Sequence, residues 1–183
     1  MVGREDAREC RRSAELGFSA RGVAPIMFGG KKRKALNAVV PVIQNMIQPY
    51  ERLRGGLPEG FWFDPYVLGF LTIYIGQLAR VATDNKIDNE TIVDVIFGVF
   101  LLFAPKHTEK IMEEVLSLQK RRDPDYALGA TNANKCVSGV MTDHEYDVAT
   151  QLGRQLGSSN PNADAGGYLV QTLFYEMVEK RLG

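Results

Sequence analysis

The sequence predicts an all-α fold, an irregular bundle of about seven helices around a central apolar antiparallel helical hairpin. Three observations carry that prediction. From Ala35 onward, apolar residues recur at spacings of three and four, the period of one helix face. No stretch alternates apolar and polar residues between turn residues for more than a few positions, so strand signals are nearly absent. Helix-start chemistry recurs along the chain, at Asp64-Pro65, Asp88-Asn89, Asp123-Pro124 and Thr142-Asp143.

Each element follows from its own residues. Leu36, Val39, Val40, Ile43, Met46, Ile47, Tyr50 and Leu53 form one face of an amphipathic helix, Ala35 to Arg54. Pro41 and Pro49 remove backbone donors and clash with the preceding turn, which predicts a kink or break at each. Gly55 to Gly60 is a loop. Asp64 caps a helix with Pro65 in its first turn, running to about Ala82. Asp88 or Asn89 caps the next, which stops near Pro105. A helix from Lys106 to Lys120 buries Ile111, Val115 and Leu118, and Asp123-Pro124 starts another that reaches Val140. Thr142-Asp143-His144-Glu145 matches a capping box for a helix ending near Leu156. After the loop Gly157 to Asn162, a C-terminal helix carries Tyr168, Leu169, Thr172, Leu173, Tyr175, Met177, Val178 and Leu182.

The central hairpin has the sharpest register. Phe61 to Ala82 carries only Asp64 and Arg80 as charges, and Ile92 to Ala104 only Asp94. Folding back about Lys86 places opposite one another residues whose numbers sum to about 174, pairing Gly76 with Gly98 and Arg80 with Asp94. Both apolar runs are shorter than the roughly twenty residues that span a bilayer, which favours a core hairpin. The turn Asp84-Asn85-Lys86-Ile87-Asp88-Asn89-Glu90 lacks the donors and the glycine of a calcium-binding EF-hand loop. It resembles the interhelical turn of TerB-like tellurite-resistance domains over about twenty residues, with Asn85 where that family more often has glycine, since both adopt the left-handed conformation. The resemblance implies a shared turn and carries no function to this chain. Asp64-Pro65-Tyr66-Val67-Leu68-Gly69 is also echoed by Asp123-Pro124-Asp125-Tyr126-Ala127-Leu128-Gly129, each followed by Thr-Asp, as a duplication with a period of about 59 residues or as shared boundary chemistry.

Composition narrows the function. With 22 basic and 22 acidic residues the net charge is zero, which removes the global field a nucleic-acid binder uses. Residues 1–26 hold five arginines and no lysine, whereas all nine lysines follow from Lys31. They read as a non-native or disordered N-terminal extension ahead of a single all-α domain, 27–183, the alternative being a genuine helix from Glu5 to Leu16. Cys10 and Cys136 belong to no metal or redox pair, and no signal peptide is evident, so a cytoplasmic protein is expected.

No catalytic, cofactor or metal motif stands out. Gly29-Gly30-Lys31-Lys32 is not a phosphate loop, and neither His107 nor His144 has a Glu three residues before it for a di-iron site. Cys136 has no nucleophile motif around it. Three successive aromatics, Phe61-Trp62-Phe63, cannot all face one core, so at least one is expected outside. The first functional expectation is a non-enzymatic protein acting through a protein partner or self-association, with Phe61, Trp62 and Tyr66 as its surface anchors. The second is a small-ligand binder or enzyme with an interhelical pocket at Arg80 and Asp94, with His107 or His144 near it. The third is a peripheral membrane protein using the basic cluster Lys31 to Lys34.

Overall fold

The structure, a computed structural model, describes residues 30–139, 142–155 and 161–183. The expected extension, 1–26, lies outside the described residues, as does most of the loop expected at 157–162. The chain is an all-helical bundle without a strand among the described residues. Its elements are α1 (Gly30–Arg54), a 3₁₀ turn (Phe61–Phe63), α2 (Pro65–Ala82), α3 (Asn89–Phe103), α4 (Thr108–Lys120), α5 (Pro124–Ser138) and α6 (Asp143–Gln155). The final rod comprises α7 (Pro161–Val170), a π-helical turn (Gln171–Tyr175) and α8 (Glu176–Leu182).

Three of the expected caps are made, those of Asp64, Asp88 and Asp123. The Asp64 carboxylate accepts from the Val67 amide at 3.0 Å, that of Asp88 from Thr91 at 2.7 Å, and that of Asp123 from Asp125 and Tyr126, both at 3.1 Å. These amides lack helical partners, so each bond satisfies a donor that would otherwise stay open. The same bonds favour the ionised form and hold the Asp88 and Asp123 carboxyls below their ordinary range.

Helix α1 differs from expectation, being continuous through both Pro41 and Pro49. Pro41 lies on the exposed side, where the carbonyl it leaves without a partner can face water. Meanwhile Ala35, Val39, Ile43, Met46, Ile47 and Tyr50 are all buried, so one packed face crosses both prolines and holds the rod together.

Helix α2 sits at the centre, its side chains buried almost all round from Tyr66 to Gly76. Its most intimate neighbour is α5. A Cβ added at Gly69 would lie 2.1 Å from the Tyr126 carbonyl oxygen, and one at Gly129 would lie 2.1 Å from that of Tyr66. Only glycine allows backbones to approach this closely. The pairs Gly69 with Tyr126 and Gln77 with Asn134 share a separation of 57 residues, so α2 and α5 run parallel. The repeated segments Tyr66-Val67-Leu68-Gly69 and Tyr126-Ala127-Leu128-Gly129 thus exchange the same contact about an approximate two-fold axis. At the shared N-terminal end, Arg181 from α8 bonds Asp64 at 3.1 Å and Asp125 at 2.9 Å, tying the final rod to both helices.

The α2–α3 hairpin forms in a different register. A Cβ added at Gly76 would lie 3.4 Å from the Ile92 side chain, and Arg80 Nη2 donates to Asn89 Oδ1 at 2.7 Å, pairs whose numbers sum to 168 and 169. Asp84 and Asn85 take positive φ of 54° and 58°, closing the turn about two residues earlier than Lys86. Gly98 therefore faces Leu36 of α1, whose side chain an added Cβ would meet at 3.3 Å, rather than Gly76.

Candidate interaction surface

The register decides the fate of the expected ion pair. Arg80 is engaged with Asn89, and Asp94 pairs instead with Lys32 of α1 at 2.7 Å, so the two do not form a common site. Lys34 approaches Asp84 at 3.6 Å, so two lysines of the Lys31–Lys34 cluster lie against acidic groups of the hairpin.

Two of the three expected surface anchors are interior. Phe61 is 1 % exposed, inside an aromatic cluster with Tyr50, Trp62 and Phe174 at centroid distances of 5.0 to 6.4 Å. Tyr66 is fully buried; its hydroxyl donates to the Leu173 carbonyl and accepts from Asn132 Nδ2 at 2.9 Å. These two residues anchor the core, because the 3₁₀ turn and the first turn of α2 aim both rings inward. Trp62 is half-buried edge-on to Phe100. The aromatic that faces outward is Phe63, which meets the exposed His107 ring edge-on at 5.7 Å. His144 is exposed at the start of α6, away from any described bond with His107.

Exposed apolar residues gather into a stripe on α3. Its inner face, Ile92, Val95, Ile96, Val99 and Phe100, is buried. Its outer face presents Val93, Phe97 and Leu101, 52 %, 39 % and 42 % exposed, at intervals of four residues, with Leu102 beside them. A helix apolar all round normally lies inside a core, but among the described residues α3 packs against α1, α2 and α4 through its inner face. Scattered exposed apolar residues are ordinary; a continuous stripe along one helix is not. At its C-terminal end Phe97 and Leu101 join Pro105, Lys106, Thr108, Glu109 and Lys110 around a groove of about 310 Å³.

Charge is graded along the stripe. Glu90 is exposed at the N-terminal end of α3 and Asp94 is 62 % exposed despite its lysine partner, whereas Lys106 and Lys110, with Glu109 between them, leave a net positive charge at the opposite end. Sequence reasoning assigned this helix wholly to the core and so missed Val93, Phe97 and Leu101. The available signal was the run Ile92 to Ala104 itself, which carries more apolar faces than the inner packing uses.

Among the described residues, no three His, Cys, Asp or Glu side chains come together to hold a metal ion. No described helix is long and apolar enough to cross a membrane. The Cys136 thiol is half-buried and pushed up to about 11 by burial, which makes it a poor nucleophile at neutral pH. The chain matches no protein-family model, and comparisons with curated proteins and with solved structures find no match.

Proposed function

We propose that this chain is a non-enzymatic helical interaction protein whose docking surface is the outer face of α3, and that its first partner is a second copy of itself. The observation that carries the reading is the exposed stripe Val93, Phe97 and Leu101. An antiparallel two-fold pairing centred on Phe97 sets Val93 of one copy against Leu101 of the other. The same pairing brings the acidic end, Glu90, towards Lys106 and Lys110 of the partner copy, so the charge gradient supports one orientation over its reverse. The stripe amounts to a few hundred Å² of apolar surface, on the order of the largest patch a monomer carries. That is the small end for an interface, and it supports association on the order of micromolar or weaker. We place the protein in the cytoplasm, a reading supported by the free Cys136 thiol.

Sedimentation velocity over roughly a hundredfold concentration range tests this directly. The wild-type chain is expected to show a reversible monomer–dimer equilibrium. Val93→Lys and Phe97→Glu abolish it, Leu116→Lys on the exposed side of α4 leaves it intact, and Glu90→Lys is rescued by Lys106→Glu. A wild-type chain that stays monomeric throughout refutes self-association. Binding of that monomer to anionic vesicles, lost in Phe97→Glu, would give the stripe to a lipid surface instead.

A further inference from the structure

A cleft of about 430 Å³ lies between α1 and α7, lined by Val42 and Met46 of α1, Tyr74 of α2, Cys136 of α5, and Gly166 and Gly167 of α7. It takes no residue from α3 and is separate from the docking stripe. Tyr74 is 8 % exposed, its ring packed on Phe70 at a centroid distance of 5.4 Å. Among the described residues, the buried side-chain hydroxyls that are both sealed and unbonded are those of Tyr50 and Thr72. The Tyr74 hydroxyl also bonds no described residue, but it is not sealed with them: the surface that Tyr74 keeps opens onto the cleft. A donor held without a partner in an apolar wall is a group that a ligand oxygen can satisfy. Burial holds this phenol above its ordinary range, so it is a neutral donor at physiological pH.

The rest of the lining sets the character of the ligand. None of the lining residues is charged, so a charged molecule would lose its water there and meet no counter-charge. Val42, Met46 and Val170 supply apolar surface. The Tyr175 hydroxyl, also in the wall, is already used, donating to the Met46 carbonyl at 3.1 Å. The Cys136 thiol, kept protonated by burial, adds a weak donor. Gly166 and Gly167 lie inside α7, where glycine weakens a helix relative to alanine. A Cβ added at either would meet nothing within 4 Å, so no packing contact calls for glycine at these positions. Their bare backbone instead gives the cleft a wall that a ligand can approach closely.

We propose that this cleft binds a flat, uncharged organic molecule of one or two rings, whose carbonyl-type oxygen accepts from the Tyr74 hydroxyl and whose face lies against Gly166 and Gly167. The volume falls within the range of small-molecule sites.

Indanone, indane and indane carboxylate share one ring skeleton and serve as probes, with backbone amide chemical shifts of the full chain as the readout. Indanone is expected to shift the amides of Met46, Tyr74, Cys136 and Gly166 saturably. Indane, which lacks the oxygen, binds about threefold to tenfold more weakly, and the carboxylate more weakly still. Tyr74→Phe is expected to bring indanone down to the affinity of indane while leaving indane unchanged, which separates loss of the hydrogen bond from general damage. Gly167→Leu fills the cleft and is expected to abolish binding of both neutral probes with an unchanged or raised melting temperature. In the Cys10→Ser chain, saturating indanone slows the modification of Cys136 by N-ethylmaleimide. Indanone that fails to saturate, indane that binds equally well, or Tyr74→Phe that keeps the full preference for indanone overturns the assignment. So does Cys136 that reacts at the same rate with indanone bound, or Gly167→Leu that binds as wild type does.

Discussion

Replacing Gly129 with alanine probes one of the two closest backbone approaches among the described glycines. The added Cβ would lie 2.1 Å from the Tyr66 carbonyl oxygen and 2.8 Å from the Phe70 nitrogen. An ordinary carbon–oxygen contact is about 3.3–3.6 Å, so α2 and α5 must separate by more than about 1 Å at this crossing. Both obstacles are backbone, and no side-chain rotation relieves them. Overpacking of this kind costs about 1–3 kcal/mol, and the gain in helix propensity from Gly to Ala returns about 1 kcal/mol at most. The net expectation is a loss of about 1–2 kcal/mol, or about 2–8 °C in melting temperature for a chain of this size. Gly69→Ala meets the Tyr126 carbonyl in the same way, and separating the helices for one relieves the other, so the double variant costs less than the sum. Gly76→Ala is the control. Its Cβ meets only the Ile92 side chain, at 3.4 Å, so the propensity gain prevails and stability is unchanged or raised by up to about 1 kcal/mol. Urea denaturation followed by circular dichroism measures all four. Gly129→Ala as stable as wild type, or Gly76→Ala as damaging as Gly129→Ala, would refute the assignment of α2–α5 as the tight pair.

Two further outcomes follow from the polar groups. Tyr66→Phe removes the hydroxyl that serves both Leu173 and the buried Asn132, and is expected to cost about 1–3 kcal/mol in thermal or urea unfolding. The chemically identical deletion at Tyr50 is expected to stabilise, so equal effects at the two sites would refute the hydrogen-bond assignments. For acid, the Asp88 and Asp123 carboxyls are held below the ordinary value of 3.8 by the amides they cap. Their stabilisation is fully present above that value and is lost as pH falls through the lower folded-state value. Replacing both with serine, which caps without titrating, should flatten the urea midpoint between neutral pH and pH 2 to a measurable degree. A profile as steep as wild type would assign the acid sensitivity to other carboxylates.

The sequence by itself determined the helices and, at the three capped by aspartate, where they begin. Asp64, Asp88 and Asp123 cap through contacts within three residues, and the apolar spacing from Ala35 to Tyr50 needs no distant partner to define a face. Local chemistry also made the Asp84–Asn85 turn legible, though not its length, and two residues in the turn moved the hairpin register from 174 to 168. That shift cost the expected Arg80–Asp94 pair, because a register error displaces every pair along both helices. Which faces are covered was decided only by tertiary structure. The Phe61 and Tyr66 rings look like surface anchors in the chain and are interior because α5 and the final rod close over them. Val93, Phe97 and Leu101 look like core and face outward because, among the described residues, α1, α2 and α4 pack on the other face of α3. The cleft between α1 and α7 likewise joins residues more than a hundred positions apart. Periodicity states that a helix has an apolar face; only packing decides which faces find a partner within the chain and which remain for something else.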